Sequence, residues 1–256
     1  FMKSILTLLF LFFSLVVAEI TDFERGLSFY EQRANDAVGL QANTDYIDNA
    51  INHFLKVIEV NQNNLDAGIY LLKCYYYKGK FVAVNDELKK EYFNKGKILG
   101  ETLIELYPES VGVYYWYLIN LGSWAEIYGI LSAAREGVAN IMRKYSNMII
   151  KMDSNYSDGG GYFLLGAVHL KSPYIPFVLS WPSHEKALDY LSKAYNIGDS
   201  TPSQTVYLAR ALYKNNQRNE AIKLLTSLLE KEISRKNVLE DMDQYKIAQE
   251  QLLEWE

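Results

Sequence analysis

The chain has 256 residues, of which 49% are hydrophobic and 14% aromatic, with a formal net charge of −5 and a single cysteine. That length suits one large domain or a single solenoid. Mild acidity without a clustered Lys/Arg run excludes a nucleic-acid binder, because a phosphate backbone demands such clusters. With one thiol there is no internal disulfide, and Cys74, set in the apolar run IYLLKCYYY, reads as a small buried hydrophobe.

Residues 1–18 have the pattern of an export signal. Met2 and Lys3 form a short positive region, an apolar run over 5–17 is broken only by Thr7 and Ser14, and Val16 and Ala18 supply small residues at a cleavage site. The run is shorter than the roughly 20 residues a bilayer span needs, and acidic Glu19 and Asp22 follow it. The expectation is a signal peptide over 1–18 and one exported domain over 19–256. The protein would then be periplasmic, or membrane-associated if the segment is left uncleaved. No cysteine lies near Ala18 to accept a lipid anchor.

Nearly every later segment has helical periodicity. A first helix is expected over 22–41, with Thr44 or Asp45 capping a second, DNAINHFLKVIEVN, that ends at the Asn-rich QNN turn. The next pair opens with LDAGIYLLKCYYYKGKF, where Gly79 and Phe81 mark the turn, and its second helix is expected to run through to Pro108. Over 109–152 the pattern gives a tyrosine- and tryptophan-rich helix followed by a longer one, SWAEIYGILSAAREGVANIMRKYSNMIIKMD. The turn SDGGG at 157–161 opens GYFLLGAVHLK, and the segment SPYIPFVLSWPS at 172–183 holds three of the five prolines. In that loop Pro182 disfavours helix and Ser183 can cap the next one. Long apolar loops of this kind tend to be functional. The terminal segment 236–256 reads as a charged capping helix.

Two of these helices repeat at a spacing of 34 residues. Ala187, Leu191 and Ala194 recur as Ala221, Leu225 and Leu228, and Ala50, Phe54 and Val57 fall in the same phase. A small residue, a large one four later and another three later is the packing stripe of the second helix of a tetratricopeptide (TPR) repeat. The same register maps Ala50 to Val84 and Phe54 to Leu88, and places Leu71 and Tyr75 at TPR-like positions. The expected fold is therefore all-α, a TPR-like solenoid of about ten to eleven helices with an irregular middle segment. Such stacks present a concave binding surface, which points to a scaffold rather than a catalyst.

The middle segment carries a more specific likeness. YYWYLINLGSWAE (114–126), FLLGAVHLKSPYIPFVLSWPSHEKALDYLSKA (163–194) and YLARALYKNNQRNEAIKLL (207–225) resemble the TatT family, the TPR-type accessory components of tripartite ATP-independent periplasmic (TRAP) transporters. The resemblance implies a non-enzymatic partner of a periplasmic solute receptor. It also implies self-association into homo-oligomers with openings for an apolar or amphipathic solute, and no cofactor. A generic envelope TPR adaptor that binds peptide segments of partner proteins is the alternative.

Candidate lining or contact residues are Trp116, Asn120, Trp124, Tyr174, Phe177 and Trp181. The first three share one helical stripe at i, i+4 and i+8. Core anchoring by the two tryptophans, with Asn120 crosslinking helices, is one reading of them; lining a pore or groove is the other. The loop ahead of Trp181 reads as a plug, a subunit contact, a lid or a tucked-in segment. His53, His169 and His184 are isolated and fit no metal-spacing motif, and SDGGG lacks the Lys-Ser/Thr of a phosphate loop.

Overall fold

The computed structural model describes residues 21–177 and 179–255, so the signal segment expected over 1–18 lies outside the described residues. These contain twelve α-helices: α1 Asp22–Glu31, α2 Thr44–Val60, α3 Leu65–Tyr77, α4 Asp86–Leu106, α5 Val111–Tyr128, α6 Ile130–Arg135, α7 Val138–Met152, α8 Tyr156–Lys171, α9 His184–Tyr195, α10 Pro202–Lys214, α11 Arg218–Leu229 and α12 Val238–Trp255. A π-helical turn, Lys78–Val82, continues α3. Two isolated β-bridges, Val38 with Gln41 and Ile175 with Leu179, are the only extended pairings among the described residues. None of the described helices is long and apolar enough to cross a membrane.

Polar residues start most of these helices by accepting the backbone N–H groups that a first turn leaves free. Asn43, Asn64, Asn85, Ser110, Ser183 and Thr201 all do so. Ser183 therefore caps α9 as its position predicts. The second helix differs from expectation, because Asn43 takes the cap and Thr44 and Asp45 lie inside α2. The first helix is also shorter than expected: α1 stops at Glu31, and turns followed by the Val38–Gln41 bridge fill the rest of 22–41.

The 34-residue register holds in α2, α9 and α11, with Val57 at the third position in α2 only half-buried. Ala50, Phe54, Ala187, Leu191, Ala194, Ala221, Leu225 and Leu228 are all buried. It fails at Val84, which is exposed in the link between the π turn and α4. The five-residue π turn shifts the phase there. The single long helix expected after Ser123 is also divided. Gly129 (φ +86°) and Gly137 (φ +66°) take conformations that side chains with a Cβ rarely adopt, which separates α5, α6 and α7.

Packing identifies the two sides of the stack. Each helix packs on its chain neighbours, and α3, α5, α8, α10 and α12 also touch one another in succession. The alternate set α2, α4, α7, α9 and α11 makes no such contacts among the principal ones. The first helices of the pairs therefore lie on the inside of the curve.

The terminal helix does more than cap the last repeat. Its end packs on α10 and α11, with Ala248 buried and Trp255 stacked on Tyr213 at 4.2 Å. Its start reaches the first repeat, where Leu239 is buried among Phe54, Tyr77 and Phe81. Arg33 Nη2 donates to Glu240 Oε1 at 2.8 Å and to Asn237 Oδ1 at 3.0 Å, and Lys80 pairs with Asp243 at 3.1 Å. An 18-residue helix is about 27 Å long, and α12 spends that length crossing from one end of the solenoid to the other.

Candidate binding surface on the inner face

Along α3, Tyr70, Lys73 and Tyr76 recur every third residue and so share one face. Lys73 Nζ stands 4.1 Å from the centre of the Tyr70 ring and 5.5 Å from that of Trp116 on α5. Tyr76 and Trp116 are 6.2 Å apart, centre to centre. Further round, Lys171 from α8 pairs with Glu126 of α5 and sits 5.0 Å over Tyr207 of α10. Arg210 covers the same Tyr207 ring at 5.6 Å. The inner face is thus a band of tyrosine and tryptophan studded with cations, and such contacts are each worth about 0.5–1 kcal/mol at exposed sites.

Tyr76 lies at the convergence of these elements. Burial raises its phenol pKa well above the ordinary value, and the charges of Glu240, Asp243 and Glu126 act on it in the same sense. Those carboxylates belong to α12 and α5, so Tyr76 of α3 lies within reach of both helices.

The sequence-derived candidates divide into three groups. Trp116 is half-buried and belongs to the inner band. Asn120 and Trp124 share its stripe but sit in the core, Asn120 with no exposed surface at all. Asn120 Nδ2 donates to Leu72 O at 3.0 Å and to Trp116 O at 2.9 Å, tying α5 to α3. Its Oδ1 has no hydrogen-bond partner and lies so close against Gly96 of α4 that a Cβ there would overlap it. Trp124 stacks on Tyr128 at 4.4 Å, and its Nε1 is buried without a partner. Both residues fix helix packing in this structure, at the cost of an unpaired polar atom each.

The loop candidates are divided as well. Trp181 is half-buried: its Nε1 donates to Asn140 Oδ1 at 2.9 Å, Arg143 covers its ring at 4.4 Å, and His169 meets it edge-on at 4.9 Å. Tyr174 is 63% exposed and Phe177 fully exposed. Phe177 has φ +64° at the tip of the turn closed by the Ile175–Leu179 bridge. A bulky side chain in that region of backbone space is uncommon and strained. The loop is therefore tucked in at one end and projects an aromatic ring into solvent at the other. Ile130 and Leu131 of α6 are exposed too. They follow the C-terminus of α5 as the loop follows that of α8.

Buried titratable groups outside these clusters have structural roles. His169 Nδ1 accepts from the Ser183 N–H at 3.2 Å, and burial lowers its pKa to about 4, helped by the charges of Lys186 and Arg143. Its neutral ring thus fixes the entry to α9. Cys74 has no exposed surface, and burial pushes its thiol well above the ordinary range. His53 Nδ1 meets Asp22 Oδ1 at 2.7 Å, joining α2 to α1.

Lys73, Tyr76, Lys171 and Tyr207 were not singled out by sequence reasoning. The three-residue recurrence of Tyr70, Lys73 and Tyr76 on a first helix was the available signal, but only the tertiary stack brings Trp116 and Tyr207 to it.

Among solved structures, the chain is similar to TTC0263, a thermophilic TPR protein of Thermus thermophilus. The TM-score is 0.60 at 16% identity, over 91% of this chain and 97% of that one. The fold is TPR-like. MamA aligns over 82% of this chain and 93% of its own at a TM-score of 0.42 and 16% identity. No family model matches the chain, and no curated protein matches it.

Proposed function

We propose that this protein is a non-catalytic, exported TPR scaffold that serves a TRAP-type transporter. In this reading it handles an apolar or amphipathic solute on its inner face and docks the solute receptor through the 172–183 loop, as a homo-oligomer. The TPR-like fold supports protein partners as a class; the transporter assignment rests on the resemblance of the middle segment. The observation that carries the solute-handling part is the course of α12. That helix reaches from the first repeat to the last and flanks the aromatic band, with its Glu240 and Asp243 acting on Tyr76. An extended peptide laid along the concave face would have to displace α12 and break the Arg33–Glu240 pair, which counts against the adaptor reading.

The test is the light-scattering mass of the protein alone and mixed with the solute receptor encoded beside it. A defined oligomer that takes up receptor stoichiometrically supports the reading. A monomer that ignores the receptor overturns it and returns attention to peptide ligands.

A further inference from the structure

We propose that Lys73 anchors the carboxylate of a small amphipathic solute whose apolar part lies against Tyr70, Tyr76 and Trp116. The inference deepens the solute-handling reading above and rests on it.

Three of the other half-buried lysines have carboxylates to hold: Lys78 pairs with Asp48, Lys89 with Asp86 at 3.8 Å, and Lys97 with Glu101 at 3.0 Å and Glu136 at 3.5 Å, whereas Lys90 meets only the Tyr128 ring, at 5.8 Å. Lys73 is equally withdrawn from water, yet among the described residues no carboxylate comes within ion-pair distance of it. Glu240 and Asp243, which act on the neighbouring Tyr76, pair instead with Arg33 and Lys80. Asp66, two turns back on α3, is exposed and acts on it only weakly. What Lys73 has instead is two aromatic faces, which satisfy an ammonium in part and offer nothing to its three N–H donors.

The surroundings add to the demand for an anion. Burial lowers the Lys73 pKa, and the charges of Arg33 and Lys236 press it the same way. An incoming carboxylate would relieve both effects, because an opposite charge at close range favours the ammonium. The walls define the rest of the ligand. Tyr70 and Trp116 present ring faces to the ammonium, Tyr76 lies 6.2 Å from the Trp116 ring, and Tyr115 meets that ring edge-on at 5.5 Å. A chain or ring attached to the carboxylate would bury apolar area against them. Helix α12 runs beside these residues, its Glu240 and Asp243 acting on Tyr76, and so leaves less of this face to a polypeptide than to a small molecule.

The experiment is calorimetric titration of octanoate and 4-phenylbutanoate, with 1-octanol as the uncharged counterpart. Each is titrated into the protein and into its K73M and K73R variants, with circular dichroism melts to establish folding. Methionine keeps the apolar stem, and arginine keeps the charge, so a folding defect is separable from a lost anchor. The expected result is carboxylate binding at least tenfold tighter than octanol binding. K73M should weaken the carboxylates at least tenfold, leave octanol unchanged and contrast with near-normal binding by K73R.

Equal affinity for octanoate and octanol, or a K73M variant that binds octanoate normally, overturns the anionic anchor and leaves solute handling standing. Failure of every probe in a folded protein that still takes up the receptor overturns the inference and spares the receptor-docking part of the function. Lys73-dependent binding of a short peptide's C-terminal carboxylate, with no affinity for octanoate, overturns the small-solute class.

Discussion

In α9 and α11 the buried stripe is Ala187, Leu191, Ala194 and Ala221, Leu225, Leu228, side chains without a polar atom. In α5 the buried positions include Tyr114, Tyr117, Asn120 and Trp124. The aliphatic stripe closes on itself by volume alone, and its partners need only supply a complementary apolar surface. The α5 stripe needs specific recipients: a glycine at Gly96 for the Asn120 amide, the Leu72 carbonyl for its Nδ2, and Tyr128 for the Trp124 ring. It still leaves Asn120 Oδ1 and Trp124 Nε1 unpaired. The difference teaches that the regular repeat is a generic packing solution, whereas the middle is a fitted one whose polar atoms serve geometry at some energetic cost.

Cutting a side chain from the regular repeat should give the largest effect. Leu191 is fully buried, so Leu191→Ala is expected to cost about 3 kcal/mol in urea unfolding. A loss under about 1 kcal/mol would mean the C-terminal repeat collapses around the void and is less closely packed than its middle neighbour.

Acid should find the middle next. The folded pKa of His169 is lowered to about 4 from an ordinary 6.5, so protonation opposes the folded state. Its contribution is present in full above pH 6.5 and is lost as the pH falls towards 4, to a limit of about 3 kcal/mol. Urea midpoints compared at about pH 7, 5.5 and 4 should fall more steeply for the wild type than for His169→Gln. Parallel curves would show that another group sets the acid sensitivity.

The smallest effect on stability is expected at the loop tip. Phe177 is fully exposed and touches nothing its removal would unpack, so Phe177→Ser should shift unfolding by less than about 0.5 kcal/mol. The same variant should weaken receptor uptake in the light-scattering assay. Unchanged uptake would remove the loop tip from the docking surface.

Much of the site's chemistry lay in the sequence without its arrangement. The loop at 172–183 was legible because its prolines and Ser183 act locally, and Ser183 does cap α9. That Trp181 turns inward while Phe177 points out was not legible, since it depends on Asn140 and Arg143 from α7. Trp116, Asn120 and Trp124 were rightly placed on one helix face. Their division between inner surface and core depended on how closely α4 approaches, and Gly96 sets that distance.

By itself, then, the sequence determined the helices, the repeat phase and the TPR-like class, because caps and 3.6-residue periodicity are properties of neighbouring residues along the chain. The tertiary structure alone decided the phase slip at the π turn, the two breaks at Gly129 and Gly137, and the return of α12 to the first repeat. That return is made by Arg33 and Glu240, more than two hundred residues apart in sequence. No local pattern encodes such a pair. The physical reason is that the inner face is assembled only when successive first helices are stacked, and only then does Lys73 meet Trp116.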